Sequence, residues 1–548
     1  MEPTGPTVEV KQNGISRADF LCWLALVLVL AGAVVIRGRL LSIPLERDEG
    51  EYAYIAQQML KGVPPYESAY SMKLPGIYAV YALFFVIFGQ TLTAIHLGLL
   101  IANIAAILLV FVLTKALFDP LTGLFAAASF AILSVTAPVL LGLSANAEHF
   151  VLLPALVGLI LLVRNDKRRN LAIVFIAALL FGLALVIKQH GIFFSIFAAT
   201  YLLYSDFCLR PVRWKTLIIT QCVFIFGAVA PFALICFFIW KAGAFENFWF
   251  WTFTYAGEYA TKVPLSMAVK IFEVQFLPIV AISIPIWLFA LAGLPIVVFR
   301  KKIRLRAPFV IGLLIFSFLS TCPGFYFRGH YFILMLPAVA VLAGAGFSSF
   351  TKLLAGPGKT PIRKLIMPFA GLVVVGFSLY QQRIYLFDSA PVAACRLIYG
   401  SNPFPESLEI AKYIKENSSP DDTVAVIGSE PQIYFYSDRR AATSYIYVYP
   451  LMETHPYALQ MQKEMIGQIE NAKPKFIVLV NVKLSWLSVP GSNNYIFEWI
   501  NKYTLQNYVS VGLADIVAFD RTVYRWGRET AGYNPASKYW VAVYRRKQ

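Results

Sequence analysis

The chain has 548 residues, of which 58% are hydrophobic, 15% aromatic and 14% charged, with a mean hydropathy of +0.66. Soluble domains are about a quarter charged, so the composition excludes a wholly soluble protein and fits an integral membrane one. The net charge of +17 does not indicate a nucleic-acid partner, because much of it sits in short loops between apolar runs, where Lys and Arg fix orientation against the cytoplasm.

Residues 1–18 are polar. The apolar run that follows, 20–41, is too long for a signal-peptide core and has no clear small-residue cleavage site, so it reads as an uncleaved anchor. The next loop contains Arg47-Asp48-Glu49-Gly50-Glu51. Asp48 with Glu51 three residues on opens a periodic segment that closes at Gly62, the spacing of a capped helix. Capping accounts for Asp48 and Glu51 but not for Arg47 and Glu49. After Lys73, the stretch 74–89 is apolar but only about fifteen residues long, and it is predicted to lie in the interface plane. Segments 91–117, 122–142, 149–164, 171–187, 190–205, 215–240, 275–299, 307–322, 331–350 and 365–381 follow. With the first run they make about eleven spans.

With the amino terminus in the cytoplasm, the inner loops carry Lys167, Arg168 and Arg169; Arg210 and Arg213; Arg300, Lys301, Lys302, Arg304 and Arg306; and Lys352, Lys359, Arg363 and Lys364. Asp166 and Asp206 are the acids that interrupt these four loops. Counting 74–89 as a span would turn every later basic loop outward, so topology selects the interfacial reading. Arg37 and Arg39 flank the outer end of the first span and are read as snorkelling side chains. An odd number of spans places residues 382–548 outside, as a soluble α/β domain following the membrane domain 1–381. Helices are predicted at 406–417, 457–472 and 495–503, strands at 423–428 and 475–480, and an edge strand at 539–544.

Four polar clusters fall on the predicted outer side: Arg47-Asp48-Glu49, Asn146 to His149, Lys188-Gln189-His190 and Arg328-Gly329-His330. Ionisable residues at a membrane boundary are costly, so their convergence would mark a reaction site. Each has a plainer reading. Lys73 could be a snorkelling lysine. Glu148 could answer the dipole of a helix start, and His149 could be a packed core histidine. Glu148 with His149 could hold a divalent cation, though no HxxxH or DxD pattern supports one. Lys188 opposes the positive-inside trend, and the planar guanidinium of Arg328 suits a phosphate. The aromatic loop 240–262, with Trp249, Trp251, Tyr255, Glu258 and Tyr259, reads first as an interfacial belt and second as a stacking surface for a sugar or prenyl tail. The six cysteines form no CxxC pair. Cys322 and Cys395 could both face outward, without spacing that supports a disulfide. Together the clusters suit group transfer from a lipid phosphate, an acid deprotonating the acceptor and cations stabilising the departing phosphate.

Arg47-Asp48-Glu49 with Glu51-Tyr52, then Lys73-Leu74-Pro75-Gly76, resembles the first periplasmic loop of the polyprenyl-phosphate-dependent GT-C glycosyltransferases, which include protein O-mannosyltransferases and the lipid A aminoarabinose transferase. Gly182-Leu183-Ala184 to Lys188-Gln189, Arg328 to Tyr331 with Pro337, and Asp421-Asp422-Thr423-Val424 with Asp438-Arg439-Arg440 are similar to later family segments. The resemblance implies a polytopic helical GT-C fold with interfacial helices and a C-terminal soluble α/β domain. It implies an inverting enzyme of a bacterial inner membrane, with a periplasmic tail domain, that moves a sugar from a polyprenyl-phosphate donor to a glycan, lipid or protein acceptor. By the same resemblance Asp48 would be the base with Glu49 beside it, and Glu148 would orient a substrate or bind a cation. Arg47, Lys73, Lys188, Gln189, Arg328, His330 and Tyr331 would meet the donor. Met72 and Leu74-Pro75 depart from the aminoarabinose pattern of Glu before the Lys and Pro-Pro after it, which leaves sugar and acceptor open. A transporter or flippase for lipid-linked sugars is the alternative from another class, and would predict charges near the midplane and repeated halves. A non-catalytic glycan-binding protein is the third.

Overall fold

The computed structural model describes residues 17–165, 170–208, 211–301, 303–354 and 361–547. Residues 1–16 of the polar leader lie outside the described residues, as do Asp166, Lys167, Arg168, Arg169, Arg210, Lys302 and Lys359 of the basic loops.

The first half is helical: α1 (Arg17–Arg39), α2 (Arg47–Leu60), α3 (Gly76–Phe88), α4 (Leu92–Leu117), α5 (Pro120–Ser134), α6 (Ala147–Asn165), α7 (Leu171–Ile187), α8 (Ile192–Phe207) and α9 (Trp214–Lys241). After the short helices α10 (Phe245–Trp249) and α11 (Ala256–Ala260) come α12 (Leu265–Ile282), α13 (Ile284–Phe299), α14 (Ala307–Leu319), α15 (Leu336–Leu354) and α16 (Pro361–Gln381). Among the described residues, six helices are long and apolar enough to cross a membrane, and a seventh counts if the bent pair Ile284–Phe299 and Arg304–Leu319 is one span. The chain is a multi-pass membrane protein. Shorter apolar helices occupy several of the other predicted spans. The predicted span 275–299 is two helices, because Ser283 leaves helical geometry and Pro285, which cannot donate a backbone hydrogen bond, starts the next one. The helix α3 has 13 residues, with Tyr78, Tyr81 and Phe85 buried and Val86 and Ile87 exposed, too short to span.

Two arginines at the end of α1 differ from expectation. Arg37 does not snorkel: it is buried, and donates to Asn103 Oδ1 at 3.0 Å, Ser134 O at 3.0 Å and Gly142 O at 2.9 Å, tying α1 to α4 and to the loop after α5. Arg39 donates to Leu386 O and Ser389 O beyond α16. Both charges therefore answer tertiary carbonyls rather than the bilayer rule.

All strands among the described residues fall after residue 422. The order of elements is α17 (Pro391–Tyr399), α18 (Phe404–Glu416), β1 (Thr423–Ile427), α19 (Gln432–Ser437), β2 (Arg440–Ala441), α20 (Tyr449–Met452), α21 (Ala458–Ala472), β3 (Phe476–Asn481), α22 (Lys483–Trp486), α23 (Tyr495–Asn507), β4 (Tyr508–Ala518), β5 (Arg521–Trp526) and β6 (Trp540–Arg546). The sheet order is β2-β1-β3-β6-β4-β5, with β1 parallel to β2 and β3 and the remaining pairs antiparallel. The apolar runs of β1 and β3 are buried on both faces, as parallel strands require. The predicted edge strand is instead central: β6 pairs with β3 on one side and β4 on the other. The β4–β5 hairpin escaped the sequence reading because Asp515 breaks its apolar run. That carboxylate is buried and accepts from the Tyr533 hydroxyl and the Ala536 and Ser537 amides. Cys322 and Cys395 are both free thiols.

The sheet domain is bolted to the membrane domain near α2. Gly50 meets the Gln432 backbone so closely that an added Cβ would lie 2.6 Å from Gln432 N. The Leu45 amide donates to the Tyr436 hydroxyl and the Ala441 amide to the Tyr54 hydroxyl, each at 2.9 Å.

Candidate active site

The start of α2 decides which acids are available. Glu46, not Asp48, is its N-cap: its side chain accepts from the Glu49 amide, and Glu49 Oε2 accepts from the Glu46 amide at 3.0 Å, a reciprocal capping box. The other Glu49 oxygen accepts from the Ala145 amide at 2.6 Å and faces His96 Nε2 at 3.0 Å. Glu49 is thus buried and turned away from Asp48. Arg47 also points elsewhere. It enters the sheet domain, where it pairs with Glu430 at 2.9 Å and donates to Asn402 Oδ1 and Ser429 O. Asp48 is left on the open side of the first turn.

Its partner is Lys73, from the loop before α3. Lys73 Nζ lies 2.8 Å from Asp48 Oδ1 and 2.6 Å from Glu51 Oε2, and 4.7 Å from the centre of the Tyr52 ring. The side chains of Lys73 and Asp48 are 18% and 19% exposed and that of Glu51 is 3% exposed, so Asp48 is the carboxylate a substrate can reach. Burial would raise the Asp48 pKa, but Lys73, His330 and Lys188 outweigh it and hold the carboxyl well below the usual range. Burial pushes Glu51 the other way, above its ordinary value, against the pull of Lys73. For Lys73 burial is again overcome, by Asp48 and Glu51, and the ammonium is held well above its usual pKa.

A second pair stands beside the first. Lys188 leaves α7 in an extended conformation and hydrogen-bonds Glu148 Oε1 at the start of α6, with its ammonium 4.6 Å from the centre of the Tyr331 ring. His330 Nε2 is 3.8 Å from the same Glu148 oxygen, while Glu148 Oε2 is buried with no hydrogen-bond partner among the described residues. Gln189 is taken up by the backbone: its amide donates to Met72 O at 2.7 Å and so fixes the Lys73 loop against the Lys188 corner. This approach needs Gly76, where a Cβ would stand 2.4 Å from Val186 O. Gly329 plays the same part for the Arg328–Tyr331 segment, since a Cβ there would fall 1.7 Å from Val139 O. Arg328 lies over the Tyr326 ring at 5.3 Å and has no ion-pair partner among the described residues.

The structure therefore brings together Asp48, Lys73, Glu148, Lys188, Arg328, His330 and Tyr331, and directs Arg47, Glu49 and Gln189 to supporting contacts. Sequence reasoning missed Tyr447. The sheet domain delivers it across almost four hundred residues, and its hydroxyl lies 3.4 Å from Asp48 Oδ1. The alternation Tyr445-Ile446-Tyr447-Val448-Tyr449 was a visible signal, but nothing in it named a distant partner. Burial, and then the Asp48 charge, push the Tyr447 hydroxyl well above its ordinary pKa, which keeps its proton in place. The aromatic loop 240–262 also docks rather than lying free: Trp251 stacks on Tyr70 at 5.1 Å, and the Tyr255 hydroxyl donates to Glu453 at 2.9 Å.

A divalent cation fits this centre poorly. No three His, Cys, Asp or Glu side chains gather as a ligand set among the described residues. Glu148 turns to Lys188 and His330 rather than to His149, and Asp48 already carries the Lys73 ammonium.

Residues 72–240 match the family model for dolichyl-phosphate-mannose-protein mannosyltransferases. No sequence among the curated proteins matches the chain. Among solved structures it is similar to ArnT from Cupriavidus metallidurans bound to undecaprenyl phosphate, with a TM-score of 0.55 and 14% identity over 95% of this chain and 98% of that one. The fold is that of the GT-C glycosyltransferases. The GT-C likeness extends to the archaeal oligosaccharyltransferase AglB from Archaeoglobus fulgidus in complex with an inhibitory peptide and a dolichol-phosphate. There the TM-score is 0.55 at 12% identity, over 94% of this chain and 75% of that one. The oligosaccharyltransferase of the same organism tethered with an acceptor peptide gives 0.56 at 13%, with the same coverage. The matched segment 72–240 contains Lys73, Glu148 and Lys188, whereas Asp48, Arg328 and Tyr447 lie outside it.

Proposed function

We propose that this protein is an inverting glycosyltransferase that moves a sugar from a polyprenyl-phosphate donor to an acceptor on the periplasmic side of a bacterial inner membrane. The observation that carries the reading is the accessible, ion-paired Asp48 with Lys73, Lys188 and Arg328 around it. The lipid phosphates held by ArnT and by AglB support a polyprenyl-phosphate donor here. In the reaction, an acceptor hydroxyl or amine attacks the anomeric carbon in line and forms the new glycosidic bond. The carbon–oxygen bond to the phosphate breaks, and its electron pair leaves with the polyprenyl phosphate. The acceptor proton passes to Asp48. Charge growing on the departing phosphate draws the lysine ammonium groups toward it. Weakening the Lys73 grip raises the proton affinity of Asp48 as the proton arrives. Tyr447 holds the carboxylate, and Arg328, in no ion pair among the described residues, meets the phosphate as a planar fork.

The test uses the purified protein in lipid nanodiscs with undecaprenyl phosphate carrying a radiolabelled sugar. Cleavage of label from the lipid that requires Asp48 supports the proposal. A flippase would move the labelled lipid across a vesicle bilayer intact, and a binding protein would retain it intact; either result overturns the reading.

A further inference from the structure

In open sheets with parallel strands, ligands settle outside the carboxyl ends of the strands, where neighbouring connections part. Here β1 and β3 are parallel neighbours whose connections run to opposite sides. The crevice between them is taken by the chain's own Arg47, held by Ser429 O and Glu430, with Ser485 donating to Glu430 at 2.6 Å. One strand further along, where β3 ends and β6 begins, a hollow of about 450 Å3 stays open. Neither Asp48 nor Lys73 borders it.

Its lining combines Trp486 and Trp540 with Asn481 and Asn501 and with Lys483 and Lys538. Trp486 is a fixed wall: its indole N–H donates to Val480 O at 2.8 Å, and its ring packs on Phe497 at 4.4 Å. Trp540 stands opposite Asn481 in the β3–β6 register. Neither lysine is in an ion pair among the described residues. Flat indoles suit the C–H faces of a sugar ring, and side-chain amides suit its hydroxyl groups. Two unpaired ammonium groups favour an anionic ligand. The volume lies within the range of small-ligand pockets, about 300–1,000 Å3.

We infer that this hollow is a second site, one that binds an acidic saccharide independently of chemistry at Asp48. It adjoins the reaction face through α22, where the Tyr449 hydroxyl donates to Leu484 O at 2.6 Å, two residues from Tyr447.

Binding is measured on the full-length protein in nanodiscs by saturation-transfer NMR and thermophoresis. The probes are an α-1,4-linked galacturonic acid trisaccharide and, for comparison, maltotriose. The acidic trisaccharide is expected to bind saturably, at least tenfold tighter than maltotriose. Trp540→Ala is expected to weaken it at least tenfold, and Lys483→Gln with Lys538→Gln to remove the preference over maltotriose. Donor cleavage should be unchanged in the lysine variant, whose surface positions keep the test valid if Trp540→Ala misfolds. Absence of saturable binding, equal affinity for the neutral probe, or affinity unmoved by the lysine pair would each overturn the inference. None of these outcomes touches the assignment of Asp48.

Discussion

Arg47 and Asp48 are consecutive residues with opposite destinations. Arg47 closes an ion pair with Glu430 of the sheet domain at 2.9 Å, while Asp48 closes one with Lys73 of the membrane domain at 2.8 Å. A single helical turn thus joins the dock between domains to the candidate base.

Asp48→Asn keeps the size of the side chain and its place beside Lys73 but removes the proton acceptor. Transfer is expected to fall by at least about 10²–10⁴, the usual worth of a positioned acid or base. The melting temperature and elution profile should stay near those of the native protein, because Glu46 and Glu49 carry the helix cap. Turnover of labelled donor checks the first statement and a thermal melt the second.

Tyr447→Phe removes one hydroxyl, 3.4 Å from Asp48. A loss of about fivefold in kcat is expected, corresponding to about 1 kcal/mol for a long hydrogen bond to a charged group. The KM for donor should hardly move. A KM effect larger than the kcat effect would show that Tyr447 touches donor rather than base.

The pH profile follows from the sign of the Asp48 shift. Its folded-state pKa is depressed, so the ion pair contributes fully above the ordinary carboxylate value of about 4, and the contribution fades only as pH falls through the lower folded value. The acid limb of kcat/KM due to Asp48 should therefore lie below about pH 4. In Lys73→Met the opposing cation is gone and burial dominates, so the residual activity should lose its acid limb at higher pH, by about one unit or more. A limb that stays in place would mean that Lys73 does not act on Asp48.

How much of this was legible beforehand differs from residue to residue. The apolar runs located most of the long helices before residue 382, and Lys73, Glu148, Lys188 and Arg328 stood out because charge at a membrane boundary is costly. The roles within 46–51 were not legible. Both Asp48 and Glu46 have a glutamate three residues on, and only the entry angle of the chain shows which pair forms the box. Arg47 looked like a phosphate ligand because Glu430 and Asn402 lie hundreds of residues away. The snorkelling assigned to Arg37 failed for the same reason, its partners being the distant Asn103 side chain and two backbone carbonyls that no side-chain pattern records.

Breaking the buried Arg47–Glu430 pair from one side should cost about 3–5 kcal/mol, because the remaining charge is stranded. Glu430→Gln is expected to lower the melting temperature and expose the linker before α18 to limited proteolysis. Arg47→Met with Glu430→Leu removes both charges and should restore much of the stability. If the double variant is as unstable as the sum of the singles, the pair is not what fastens the domain.

Gly329→Ala places a methyl group against the carbonyl oxygen of Val139, and Val139 itself already has a φ of 63°. Overpacking of this kind typically costs about 1–3 kcal/mol. The expected signature is a lower melting temperature together with reduced turnover, since Arg328 and His330 move with the backbone.

The reach of Arg47 into the sheet limits modularity. The sheet domain cannot be exchanged for one from a homologue as an independent cassette, because the acid that receives this guanidinium must travel with it. Chimeras cut near residue 381 should assemble only when the incoming sheet supplies a matching carboxylate behind its first strand, which makes the two halves co-inherited parts of one machine.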